Sequence, residues 1–161
     1  MADTQTLRGL DDVLSKLRAL PPEIVSKRGG VVKSALRKGG KVIADAAVRN
    51  INAITTRPET EEGGYVSTGI LAKSVAVSRD PKPQQAGANE RYRVHLRKRT
   101  YPDGTRTIAT GRYLEFGTAK RAPTPWLQPA YMETRQQALE TVASELGKGI
   151  DRAIKKMSRG A

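Results

Sequence analysis

The chain contains no cysteine, which removes disulfide bonds, thiolate nucleophiles and the cysteine-based zinc sites together. Histidine is nearly absent as well. With His95 alone, acid–base chemistry near neutral pH would have to run through that residue or through a strongly shifted carboxylate or lysine. The common metal-ligand spacings cannot be written from such a set, so neither a metal nor a cofactor is expected. Aromatic residues are scarce: one phenylalanine, one tryptophan and five tyrosines leave the core to aliphatic side chains. No stretch approaches the roughly 18 apolar residues of a membrane span. The opening residues Met1-Ala2-Asp3-Thr4 lack the basic-then-apolar pattern of a secretion signal. These absences point to a protein made in the cytoplasm, with no membrane partner. Acidic residues are also in short supply, with 16 Asp and Glu against 29 Lys and Arg and a net charge of +13. That charge must meet counter-charge in nucleic acid or acidic protein surfaces, or cost self-repulsion in the compact state.

What is present reads as one domain over 1–161 with extended arms, since this length can bury one modest core. Residues 1–20 suggest a short strand followed by a helix, with Leu10, Val13, Leu14 and Leu17 three or four apart and Asp11-Asp12 at its start. A long helix is expected over 22–54, opened by Pro22 and carried by an apolar stripe that includes Ala35, Leu36, Ile43, Ala46, Ala47 and Ile51. Gly29-Gly30 and Gly39-Gly40 interrupt the stripe, and a break or bend is expected at them in preference to a close approach by a neighbouring backbone. Residues 56–67 and 80–89 lack periodicity and read as exposed loops. The region 75–118 is the expected sheet. Its strands are Val75 to Arg79, Arg91 to Lys98 with Tyr92, Val94 and Leu96 on one face, and a returning strand from Thr105 to Thr110 after a Pro102-Asp103-Gly104 turn. A C-terminal helix is expected over 124–157, with Thr124 as its cap and Pro129 tilting it. The fold class is thus α+β: a small, mostly antiparallel sheet packed by two long helices, with extended loops.

No catalytic constellation emerges. His95 alternates with Arg91, Arg93 and Arg97 on what should be the open face of a strand. Gly29-Gly30-Val31-Val32-Lys33-Ser34 lacks the glycine before lysine and the preceding strand that a phosphate-binding loop needs. Asp11-Asp12 and Glu61-Glu62 are adjacent pairs whose side chains diverge. The chain is therefore expected not to be an enzyme. The basic residues are the stronger signal: Lys27, Arg28, Lys33, Arg37, Lys38 and Lys41 on the long helix, and Arg91, Arg93, Arg97, Lys98 and Arg99 on the strand and its turn. The second group is the candidate contact for DNA or an acidic partner, through phosphate-type contacts without sequence reading.

Two further segments belong together. Tyr113-Leu114-Glu115-Phe116-Gly117-Thr118 is followed, after a short polar linker, by Ala122-Pro123-Thr124-Pro125-Trp126-Leu127-Gln128-Pro129-Ala130. Gly117 permits a turn, the prolines stiffen a crossover to the last helix, and Phe116, Trp126 and Leu127 can pin it to the core. Tyr113, Phe116 and Trp126 are also the candidate anchors of a subunit interface. With Thr68-Gly69-Ile70-Leu71-Ala72-Lys73-Ser74 upstream, this order resembles the lambdoid tailed-phage tail-component family, whose members are labelled tail completion, neck or head-tail joining proteins. The resemblance spans most of the chain and departs in the unusually basic strand. It implies a virion protein, made in the host cytoplasm, that forms a ring of roughly six or twelve copies around the DNA channel at the head-tail junction. Its partners would be itself, neighbouring head-connector and tail proteins, and packaged DNA bound without sequence preference. A tail terminator at the same junction and a stand-alone basic nucleic-acid-binding protein are the alternative expectations.

Overall fold

A computed structural model describes residues 30 to 55 and 68 to 159, together with Ser15 and Arg18, both helical and exposed. The expected strand and helix of 1–20 otherwise lie outside the described residues, as do residues 22 to 29 of the long helix and the 56–67 loop. The described elements are α1 (Val31–Thr55), α2 (Ile70–Ser74), β1 (Val75–Arg79), β2 (Tyr92–Leu96), α3 (Thr107–Phe116) and α4 (Leu127–Ser158), with a 3-10 turn at Pro83–Ala86 between the strands. The class is α+β: two long helices, two short ones, and a two-stranded antiparallel sheet of β1 and β2.

The expected third strand is not formed. The Pro102-Asp103-Gly104 turn is real: the Asp103 carboxylate accepts from the Thr105 amide and hydroxyl, both at 2.9 Å, which holds its pKa below the ordinary carboxylate range. Gly104 takes the positive φ the turn requires. Only one bridge, Thr100 with Arg106, follows, and the chain then turns helical at Thr107. Thr107 explains the switch. Fully buried, it donates its hydroxyl to the Arg97 carbonyl at 2.9 Å, accepts from the Arg99 amide at 3.1 Å, and bonds through its own amide to the Arg99 carbonyl. Tertiary bonds at one residue thus override the strand preference of Thr105 to Thr110.

By contact the chain divides into two compact units, each described by itself. One takes residues up to Gly40, the segment Arg79–Tyr92 and residues from Gln136 onward. Here the beginning of α1 meets the second half of α4. Ala35, Ala138, Leu146 and Ile150 are buried, and Lys38 bonds Glu145 across the helices, holding the Glu145 carboxyl below its usual range. The segment 80–89, expected as an exposed loop, is tied down by ions at its two ends. Arg79 grips Glu90 with two bonds of 2.7 and 2.8 Å, Lys33 stands 3.7 Å from the same carboxylate, and Arg91 is 3.7 Å from Asp80. The Arg79 hydrogen bond is the main reason the Glu90 carboxyl lies below its ordinary pKa.

At the Gly39-Gly40 pair α1 neither breaks nor bends out of helix; the close approach prevails instead. A Cβ on Gly39 would collide with the Val142 side chain and stand 3.0 Å from the Ala138 carbonyl oxygen. The glycine is there for packing, which periodicity could not reveal. Gly30 marks the helix start, its carbonyl accepting from the Ser34 amide at 3.2 Å.

The other unit takes Lys41–Ser78 and Arg93–Arg135. Its core joins Ala46, Ala47 and Ile51 of α1 to Leu71, Tyr101, Trp126 and Ala130, flanked by Val75 and Leu96 of the strands and Leu114 of α3. Small alanines let α1 lie close to the start of α4, where Asn50 donates to the Trp126 carbonyl at 3.0 Å. Ala44 and Ala76 are buried as well.

Packing at Gly39 has a testable sign. Alanine in place of glycine inside a helix ordinarily stabilises by about 1 kcal/mol, and Gly147→Ala in α4 should do so, since the added methyl meets no described atom within 4 Å. Gly39→Ala should instead lose roughly 1–3 kcal/mol through overpacking. Urea unfolding of both variants decides the matter, and stabilisation by Gly39→Ala would refute the close approach.

Candidate functional site

The two motif segments meet at one carboxylate. Glu115, on the last turn of α3, accepts three backbone amides at the start of α4: Trp126 at 2.9 Å and Leu127 at 2.8 Å on Oε2, and Gln128 at 2.8 Å on Oε1. A helix leaves its first amides without internal partners, and a carboxylate there also meets the positive end of the helix dipole. Pro129 has no amide to satisfy, so it sits in the first turn of α4 without loss. The cap therefore comes from eleven residues upstream and not from Thr124, whose amide instead bonds the Leu114 carbonyl at 2.8 Å.

Between the segments the backbone doubles back. Gly117 has φ 75°, and a Cβ there would stand 2.8 Å from the Arg121 carbonyl oxygen and 2.9 Å from the Pro123 nitrogen, distances no other residue tolerates. Thr118 and Arg121 then pair through both backbone bonds. Trp126 closes the arrangement. It is 3% exposed, and its indole N–H donates to the Gly111 carbonyl at 2.9 Å.

The expected interface aromatics therefore separate. Trp126 is spent inside the unit. Tyr113 and Phe116, three residues apart on α3 and so on one side of it, are 55% and 76% exposed. Phe116 does not pin the crossover to the core, as its apolar character suggested; Trp126 and Leu127 do.

Beside Phe116 lies a groove of about 650 Å³. One wall is β2, contributing Arg93, Val94, His95 and Leu96; the other is α3, contributing Ile108, Gly111, Arg112, Glu115 and Phe116; Trp126, Leu127 and Gln128 complete it. Both oxygens of Glu115 are taken by the cap, so the other charged groups on the groove, Arg93 and Arg112, are cationic and exposed. His95 is half-buried here, contrary to its expected place on an open strand face. Its Nδ1 faces the Leu96 carbonyl oxygen at 3.1 Å, an acceptor only, so Nδ1 carries a hydrogen, and Nε2 stands 2.7 Å from the Ser78 hydroxyl. Among the described residues no carboxylate orients the ring in the manner of a catalytic triad.

The basic candidates are placed as follows. Arg91 is exposed and pairs with Asp80; Arg93 borders the groove; Arg97, Lys98 and Arg99 are exposed where the chain leaves β2, with the backbones of Arg97 and Arg99 drawn together on Thr107. Sequence reasoning missed Arg112, because its segment read as the end of a sheet region and not as a helix facing β2. It also missed the capping role of Glu115, which spacing along the chain does not signal. Among the described residues no group of three or more His, Asp or Glu side chains could hold a metal ion, and no helix is long and apolar enough to cross a membrane.

Removing the cap should be measurable without touching the core. Glu115→Ala leaves three amides without their acceptor and should cost roughly 1–3 kcal/mol, while Glu115→Gln, which keeps one acceptor oxygen, should cost less. Urea unfolding that places Glu115→Ala level with the unaltered protein would show that the carboxylate does not hold the crossover.

No curated protein and no solved structure matches the chain. A family model described as "Bacteriophage HK97-gp10, putative tail-component" matches residues 11–117, a span that takes in α1, the hairpin and α3 through Glu115 and Gly117. On that match, the chain belongs to the HK97-gp10-like family of bacteriophage tail components.

Proposed function

We propose that this tail component works at the head-tail junction, completing the tail and joining it to the filled head as a ring of roughly six or twelve copies around the DNA channel. The coarser part needs no proposal: a tail component is a structural virion protein that acts by contact with other virion proteins. The observation that carries the finer reading is Phe116. The only phenylalanine of an aromatic-poor chain is 76% exposed on a helix whose end is fixed by the Glu115 cap. An apolar ring held rigidly in water is what an interface anchor looks like before its partner arrives. Tyr113 adds to the same patch. A ring also accounts for the charge, since copies at +13 each repel unless DNA in the lumen or acidic neighbours offset them. Arg97, Lys98 and Arg99 are the exposed cations proposed to meet that counter-charge, with Arg91 and Arg93 beside them in sequence.

Light scattering on the purified protein, alone and with isolated tails, tests this reading together with imaging of particles made without it. Rings or tail-end binding, with heads and tails left unjoined in its absence, is the expected result, and Phe116→Asp should abolish the association while leaving the monomer folded. A persistent monomer that binds duplex DNA with steep salt dependence, with particles still joined in its absence, would overturn the junction role in favour of a nucleic-acid-binding protein. Normally capped but unjoined tails would support the junction; tails of uncontrolled length would move the protein to the terminator position.

A further inference from the structure

Among the described residues no strand pairs with the outer edge of β2, which forms one wall of the groove beside Phe116. The register of the sheet is fixed by two bonds, Arg97 N–H to the Ser74 carbonyl and Asp80 N–H to the Arg91 carbonyl, both 2.8 Å. Six residues separate the bonded positions on each strand, so no bulge intervenes. Alternation then turns the backbone groups of His95 and Arg93 towards β1 and those of Val94 and Leu96 away from it. The sheet of described strands ends at β2 on that side. Four consecutive β2 residues line the groove, as an edge does; a strand face would supply alternate residues only.

An open edge facing an apolar, helix-walled channel is the geometry in which an extended chain is added to a sheet. Edges that are to stay single are ordinarily covered, bulged or made very short, and β2 is regular. The lining selects the guest. Trp126, Leu127 and Phe116 offer apolar surface, and Arg112 adds an exposed guanidinium on the α3 wall.

We infer that this groove receives an extended segment of another virion protein, paired as a third strand on the Val94–Leu96 edge, with an aliphatic side chain over Trp126 and a carboxylate against Arg112. This rests on reading the Phe116 face as an interface, but not on rings or on a position at the junction. Alternating aliphatic and acidic residues fit the groove; DNA, which brings neither an edge to pair nor an aliphatic side chain, does not.

The test uses the full-length protein and an array of short overlapping peptides covering the other structural proteins of the same phage. Captured peptides should carry aliphatic residues with Asp or Glu, and each should be resynthesised with single N-methyl groups. Methylation at alternate positions, those facing β2, should weaken binding about tenfold or more, since it deletes a strand bond, while the intervening positions tolerate it. Arg112→Glu, with unfolding unchanged, should lose the acidic peptides to a similar degree. Capture of no peptide, binding indifferent to the methylation pattern, or binding unaffected by Arg112→Glu would each overturn the proposal. Because peptide capture is read on the unassembled protein, failure here leaves the ring reading standing, and failure of ring formation leaves this one standing.

Discussion

The structure of the second unit depends on a carboxylate that spends both its oxygens on another element. Glu115 stands at the end of α3 and caps the beginning of α4. That choice fixes the distance between the two helix ends, which the intervening residues can span only by the doubled-back path through Gly117 and the Thr118–Arg121 pair. Once the start of α4 is held, Trp126 falls into the core with its indole N–H on Gly111 and its carbonyl on Asn50 of α1. The strand–helix groove then acquires its apolar base.

The unit thereby treats its two large aromatics in opposite ways. Trp126 has its polar edge satisfied and is almost wholly enclosed, whereas Phe116, with nothing polar to satisfy, is left in water. Folding alone would reverse that preference. Positions where a local rule is broken without a gain inside the chain are where binding is expected, and the family of phage tail components is one whose work is contact with other virion proteins. The charge follows the same logic: an excess of cations that destabilises one copy becomes useful where an acidic partner or DNA supplies the other half.

Much of this order was readable in the residues. Val75 to Arg79 and the alternation of Tyr92, Val94 and Leu96 announced both strands, because period-two patterns survive wherever one face is buried. The apolar stripe announced α1, and the paired motifs announced a crossover into the last helix. Three things were not legible, each for a tertiary reason. Thr107 turns its segment helical by bonding Arg97 and Arg99, partners eight and ten residues away. Gly39 serves a helix contact with residues a hundred positions on. Glu115 caps from α3 a helix whose own flanking Thr124 looked like the cap. As for the site, Tyr113 and Phe116 were singled out from motif and composition, but the groove beside them needs β2, α3 and Trp126 in place, and Arg112 becomes visible only once its segment is known to be a helix.

The Glu115 carboxylate holds the amides of Trp126, Leu127 and Gln128 in the free protein, before any partner is bound. Amide hydrogen exchange on the monomer reads this directly, since a helix start without a cap exchanges freely. All three amides should be protected to a degree comparable with the buried turns of α4 near Ala130 and Thr134, and should lose that protection together in Glu115→Ala. Exchange of all three at the rate of an unstructured chain in the unaltered protein would contradict it, and would make the crossover a feature acquired only in the assembled virion.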